Sequence, residues 1–458
     1  MNLRLPRLLL VILLAVCLTA AGPMPTDSPA VNTEPCGADP QVTALLALST
    51  QADWIGWIAR LSGRDPVLLS GGSTTITTRY SYAMFSGRSN ARAYEYVLAR
   101  LKEWYPLDQI EEDAYVPSAG AVWKNIILTL PGTVHPQESV ILSAHLDSII
   151  QSTPGKSPYD LAPGAEDNGS GSAALLEAAR IFRTLRFERT VRLIWFTGEE
   201  QGLLGSEAYV TDHDLSGLVG VINLDMYGYD NNQDGCFELH IGTLAASAPI
   251  GACFQTAAGV YSPALKVDAI DTYNLTYSDH GTFWARGIGA VEVLENHTSG
   301  PPSDACGGYA EFSPYYHQTT DTLDKLNPQT GFAITRASLA AAAGLAVPAQ
   351  ACFNQAPTLS LQPGPGRIGL TWTAVQGADE YHVFRSAAAN AGESPVCSAE
   401  WILLGQTTRT SWNDLNATLG QTYVYRVEAA GAGCVSAPSA CQASQSWPVD
   451  IYLPRISH

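Results

Sequence analysis

The chain has 458 residues, with 25 Lys+Arg against 43 Asp+Glu and a formal charge of −18. At roughly 100–200 residues per domain, this length predicts two or three domains, and 46% hydrophobic against 15% charged residues excludes a disordered chain. The acidic balance excludes the basic footprint of a nucleic-acid binder and a polybasic membrane-surface role.

Residues 1–22 place Arg4 and Arg7 ahead of an apolar run from Leu8 to Ala21 that ends in small residues. This predicts a signal peptide, hence a secreted, extracellular protein with no membrane attachment after cleavage. Eight cysteines lie beyond it, without a C-x-x-C pair, and predict disulfides. Five precede and three follow the domain boundary expected near 355, so either one bridge crosses that boundary or one thiol stays free. Residues 23–38, rich in Pro, Thr, Ser and Gly, read as a flexible leader. The apolar spacing over 40–61 predicts helices, and 88–104 predicts another, stopped by Pro106.

From about 122 the pattern changes. NIILTL, SVILSAHLD, TVRLIWFT and VGVINLDMY are apolar runs typical of strands buried on both faces, and SGSAALLEAARIFRTL between the second and third is an amphipathic helix. This alternation predicts an α/β domain over 39–350, its ligand site at the C-terminal strand ends. Residues 355–448 instead hold short strands split by turns, which predicts an all-β sandwich. Trp372, Tyr381, Val383, Leu415, Tyr423, Tyr425 and Val427 make it resemble a fibronectin type III domain. Residues 449–458 read as a tail. The resemblance implies an accessory, so contact with an extracellular protein or polysaccharide would fall to the sandwich.

Five segments of the α/β domain carry metal-ligand residue types: His145 and Asp147 in SAHLD, Asp167 in GAEDNGSG, Glu199 and Glu200 in TGEEQGLLGS, Asp225 in NLDMYG, and His317 in YYHQTTDTLDKL. Carboxylates gathered in one cleft repel one another unless a cation joins them. Imidazole with carboxylate and no thiolate suits zinc, with manganese or cobalt as substitutes. With Asp167 bridging, His145, Asp167, Glu200, Asp225 and His317 give each of two metals three protein ligands. Glu199 is then left as a proton acceptor, and Asp147 can orient His145. Asp230-x-Asn232-x-Asp234-Gly235 starts like a calcium loop, but Ile241 stands where the loop needs a Glu, so it reads as a polar turn. His280 reads as structural or pocket-forming, and His213 and His240 as surface or packing residues.

These motifs, with SDHGTFWARGI, resemble the secreted dinuclear zinc aminopeptidase family, whose relatives include glutamate carboxypeptidases, glutaminyl cyclases and the transferrin receptor. The resemblance spans roughly 85–345. It implies a mixed, mostly parallel sheet flanked by helices, and two zinc ions, one on His145 and Asp225, one on Glu200 and His317, with Asp167 between. It further implies Glu199 as general base, Asp147 as support for His145, and Tyr316 as a stabiliser of the tetrahedral intermediate. The function it implies is removal of N-terminal residues from peptide substrates. The alternatives are a carboxypeptidase, a glutaminyl-cyclase-like enzyme, and a non-enzymatic binding protein acting through the sandwich.

Overall fold

The computed structural model describes residues 36–85, 91–117, 120–151, 154–297, 306, 310–364, 367–387, 401–418 and 421–444. The stretches read as signal peptide and tail, most of that read as a leader, and Cys397 lie outside the described residues. Cys36, inside the stretch read as a leader, is buried and disulfide-bonded to Cys253.

Eight strands form the central sheet: β1 Ile110–Tyr115, β2 Trp123–Leu130, β3 His135–His145, β4 Arg189–Phe196, β5 Leu218–Leu224, β6 Cys236–His240, β7 Lys266–Ile270 and β8 Ala290–Glu295. Their spatial order is β7-β6-β8-β5-β3-β4-β2-β1. Four neighbouring pairs are parallel and three antiparallel, so the sheet is mixed and mostly parallel. The helices of six residues or more are α1 Pro40–Leu46, α2 Gln51–Leu61, α3 Arg92–Trp104, α4 Gly169–Phe182, α5 Leu204–Asp212, α6 Ala248–Tyr261, α7 His280–Ala285 and α8 Pro328–Ala346.

Side chains alternate across a strand, so each strand serves two layers. On one face Leu142, Ala144, Leu193, Trp195, Ile222, Leu224, Val291 and Val293 join the large core under α2, α4, α6 and α8. On the other, Ile141, Ile194, Val221 and Ala290 pack on Tyr209 and Phe283 from α5 and α7. Further along this second face the residues turn polar: Ser143 and His145 on β3, Asn223 on β5, Glu292 on β8. The strand bodies thus hold the sheet by apolar burial, about 1.5–3 kcal/mol for each large side chain. Their ends are left for chemistry.

The sandwich consists of a sheet of Leu359–Gly364, Arg367–Trp372 and Ser411–Asp414 facing one built on Ile402–Thr407, Glu380–Ala387 and Tyr423–Gly431. Trp372, Tyr381, Val383, Tyr423, Tyr425 and Val427 fill its core, whereas Leu415 of the same pattern is exposed. The Cys352–Cys434 disulfide ties it to the α/β domain, so a bridge does cross the expected boundary. Arg183, just after α4, pairs with buried Glu428 at the same junction. Cys236–Cys306 closes the third described bridge, and Cys441 is disulfide-bonded as well. Among the described residues, no helix is long and apolar enough to cross a membrane.

Candidate metal centre

Three of the proposed ligands sit where a regular element begins or ends, and Glu200 and His317 sit in loops. His145 is the last residue of β3, and Asp225 directly follows β5. Asp167 precedes α4, whose N-cap is Asn168: its side-chain oxygen accepts from the Gly171 amide at 2.9 Å, and its amide donates to the Leu224 carbonyl at 2.7 Å. Asn168 therefore caps the helix while Asp167 is freed to face the cleft. A Cβ on Gly171 would lie 2.7 Å from the Leu224 carbonyl oxygen, so glycine there lets α4 start close behind the strand ends. Glu199 and Glu200 follow β4 across Gly198, whose φ of +74° is costly for any other residue. His317 itself holds a φ of 55°, in the left-handed region where non-glycine residues are uncommon and concentrate at functional sites.

The side chains converge. His145 Nε2 lies 3.1 Å from Asp225 Oδ1 and 3.2 Å from Asp167 Oδ1. His317 Nε2 lies 3.1 Å from Asp167 Oδ2 and 2.8 Å from Glu200 Oε2. Asp167 thus turns one carboxylate oxygen to each histidine. Two groups result, His145–Asp167–Asp225 and Asp167–Glu200–His317, each with donor atoms within 4.8 Å of one another. Glu199 Oε2 is 4.0 Å from His145 Nε2. The Asp147 carboxylate approaches His145 Nδ1 at 3.6 Å, while its backbone carbonyl is closer to that nitrogen, at 3.1 Å. The same carboxylate accepts from Ser81 Oγ at 3.0 Å and from the Glu199 amide at 3.3 Å, which ties the His145 turn to the Glu199 turn. Tyr316 stacks on His317 with ring centroids 3.7 Å apart and faces the same cavity.

The electrostatics of the bare cluster are in conflict. Burial pushes the Glu199 carboxyl well above its ordinary range, with Asp225, Glu200 and Asp279 adding to the rise against His145. Burial and Asp167 push Glu200 up to about 8. Burial also acts against ionised Asp167, yet the imidazoles of His145 and His317 beside it hold it below the carboxylate range. His317 is disfavoured as a cation by burial but is pushed up to about 10 by Asp167 and Glu200. Glu200 Oε1 and His317 Nε2 are buried without completing a hydrogen bond. Acceptor groups aimed at one another with too few protons fit a divalent cation on each side of Asp167.

Several residues that hold this arrangement left no mark in the sequence. Asp321, four residues past His317, accepts from the Glu166 amide at 2.9 Å and the Asp167 amide at 3.1 Å. Arg79 is fully buried and donates to the carbonyls of Leu146, Leu61, Pro163 and Gly164 at 2.6–3.0 Å. Burial pushes its guanidinium down to about 10. A lone arginine in a loop carries no sequence signal of such a brace. His280 is buried and shares the Leu275 carbonyl at 2.7 Å, in keeping with a structural or pocket-forming residue. His240 is buried, within its reading as a surface or packing residue, but nothing in the sequence marked its partner, Glu238 at 2.6 Å. Strand alternation put it on the polar face, which its apolar neighbours concealed.

Residues 125–342 match the family model described as Peptidase family M28, and residues 357–444 match Fibronectin type III domain SaeA third domain. Leucine aminopeptidase 1 of Arthroderma otae is 33% identical over 218 residues, covering 45% of this chain and 53% of its own length. Aminopeptidase YwaD of Bacillus subtilis is 30% identical over 211 residues, covering 45% of this chain and 41% of its own. The chain spans about half the length of the curated relatives it matches. The LapA aminopeptidase structure from Legionella pneumophila shares the fold, with a TM-score of 0.53 at 18% identity over 72% of this chain and 81% of that one.

Proposed function

We propose, from the match of residues 125–342 to the Peptidase family M28 model, that the protein is a secreted zinc aminopeptidase that removes N-terminal residues from peptides. The observation that carries this reading is Asp167, with one carboxylate oxygen toward each of two histidine–carboxylate groups. His145, Asp167 and Asp225 would hold one zinc ion, and Asp167, Glu200 and His317 the other. When bound, zinc supplies the Lewis acidity that polarises a carbonyl and makes water a nucleophile at neutral pH.

The chain's own residues supply the rest. Glu199 lines the cavity beside His145 and takes the proton of the attacking water as the new C–O bond forms. It delivers that proton to the amine nitrogen as the C–N bond breaks. Tyr316 lines the same cavity, and its hydroxyl donates to the oxygen on which charge develops. Asp147 acts as a positioning residue, linking the His145 and Glu199 turns. Among the described residues, none beyond His317 lines the cavity, which supports an accessory role for the sandwich. The disulfides support an oxidising, extracellular destination.

The test is a set of free and N-acetylated amino-acid amides, with metal analysis of the purified protein. We expect two zinc ions per chain, turnover of the free amides only, loss of turnover in chelator and recovery on zinc addition. Equal cleavage of the blocked substrates would point to a carboxypeptidase or endopeptidase. Turnover untouched by chelation would end the metal reading.

A further inference from the structure

The cavity at the metal centre, about 200 Å³ in volume, continues away from His145 and His317 along the sheet face. Met226, Leu275, Leu294 and Phe312 give this extension apolar walls, and His240 and Glu292 give it polar ones. Topology explains the placement. Glu292 on β8 lies directly opposite His240 on β6 and opposite Asn223 on β5. Cross-strand partners share a face, and Glu238, two residues before His240, shares it too. A polar row therefore runs from Asn223, two residues before Asp225, out to Glu238.

The row carries more acid than base. His240 Nε2 is 2.6 Å from Glu238 Oε2, and its Nδ1 is 3.3 Å from Glu292 Oε2 without completing a hydrogen bond. His280 Nε2 is 3.4 Å from the same Glu292 oxygen, but its proton goes to the Leu275 carbonyl at 2.7 Å. Burial and His240 push His280 down to about 3, so it brings no charge. Neither imidazole therefore completes a hydrogen bond to the Glu292 carboxylate, and all of these groups are 5% exposed or less. Buried charge of this kind is costly unless a counter-charge completes it. Burial, with the carboxylates of Asp225, Glu238 and Asp279, pushes the Glu292 carboxyl well above its ordinary range, a condition that a cation relieves.

We propose that this extension receives the side chain of the substrate's first residue and selects a cation, a lysine ammonium or arginine guanidinium, with Glu292 as the specificity-determining residue. Apolar walls that end in an acid suit side chains with an aliphatic stem and a charged head. A leucine side chain would cover the Glu292 carboxylate without pairing it, and a glutamate side chain would add a further negative charge. The inference rests on the aminopeptidase reading.

The experiment measures kcat/KM of the zinc-loaded, full-length protein on lysyl, arginyl, leucyl and glutamyl 4-nitroanilides. Lysyl and arginyl substrates should exceed leucyl by about 10- to 100-fold, the range expected of a buried charge-assisted contact, with glutamyl lowest. Glu292→Gln should collapse the lysyl-to-leucyl ratio by about tenfold or more. Lysinamide should compete more strongly than norleucinamide, a binding readout on the wild type that stands even if the variant fails to fold. A wild-type ranking led by leucyl or glutamyl overturns the inference and leaves the aminopeptidase reading intact, as does an unchanged ratio in a folded variant. Turnover of none of the four removes the aminopeptidase reading and this inference with it.

Discussion

Two acid-rich groups in this molecule invite comparison. One is the pair of histidine–carboxylate groups around Asp167; the other is Asp230 and Asp234 of the loop that imitates a calcium motif, with Glu311 from a later segment. Both bring acidic oxygens close together, yet they differ in what those oxygens already do. Asp230 accepts from the amides of Asp234 and Gly235 at 3.2 and 3.3 Å, from Asn327 Nδ2 at 3.1 Å, and from Thr330. Asp234 accepts from the Cys236 amide at 2.9 Å and pairs with Lys266 at 3.1 Å. Glu311 accepts from the Asn232 amide at 3.1 Å. The loop uses its acids to fold itself. Around Asp167 the carboxylates meet imidazole nitrogens, which are themselves metal ligands. Proximity of acids is therefore a poor guide to a cation site; what counts is whether their lone pairs are already committed to the fold.

The sharpest way to break the contrast is Asp167→Asn. It removes the residue common to both groups, so zinc content should fall at both sites. Turnover should drop by about 10³-fold or more, and the rise in melting temperature on adding zinc should disappear. Atomic absorption and a thermal shift series check this, and a variant that still carries two zinc ions would refute the shared-ligand arrangement. Glu199→Gln comes next. It should keep its zinc and lose about 10²- to 10⁴-fold in kcat, because a proton carrier is removed and no ligand is. If zinc were lost along with activity, Glu199 would belong among the ligands.

Asp230→Asn tests the other side of the comparison. An amide nitrogen would be set against groups that donate to Asp230 now, so unfolding should become easier by about 1–3 kcal/mol in a denaturant titration. Zinc content should stay at the wild-type level. A fall in zinc, or a calcium-dependent gain in stability for the wild type alone, would show that the loop is a cation site after all.

The comparison also shows why parts of the molecule were legible in sequence and others were not. β2 to β5 were readable because NIILTL, SVILSAHLD, TVRLIWFT and VGVINLDMY have apolar bodies, and the polar residues that close them stood out as ligand candidates. β6 and β8 were missed because Glu238, His240 and Glu292 interrupt the apolar pattern, although all three are buried. β1 was missed because it is an edge strand carrying Glu111, Glu112 and Asp113, charges that guard an open edge. Asp321 and Arg79 were missed because their work is to hold loop backbone, and a loop's partners are set by tertiary approach. The cysteine count left open a bridge across the boundary or a free thiol, and only distance in space selects Cys352–Cys434.

A third group, Glu111, Asp113 and His213, gives the smallest expected effect and the finest version of the contrast. Here an imidazole is present, but Asp113 engages it as a proton donor: Asp113 Oδ1 is 3.2 Å from His213 Nε2, and Asn125 Nδ2 donates to Oδ2 at 2.9 Å. The Asp113 hydrogen bond holds His213 above its ordinary value near 6.5. Burial acts against the Asp113 carboxylate, but hydrogen bonds from His213 and Asn125 hold it below its ordinary value near 3.8. The raised histidine adds stability that is fully present below about pH 6.5 and is lost as pH rises through its folded value. The depressed aspartate adds stability that is present above about pH 4 and is lost as pH falls through its folded value. The pair therefore stabilises most between about pH 4 and 6.5. His213→Gln should lower the melting temperature by about 1–3 °C at pH 5.5 and by less at pH 9, because the pair is partly exposed and screened. A gap that stays constant or widens at pH 9 would mean that the imidazole is held neutral, and that this edge-strand group is a third candidate cation site.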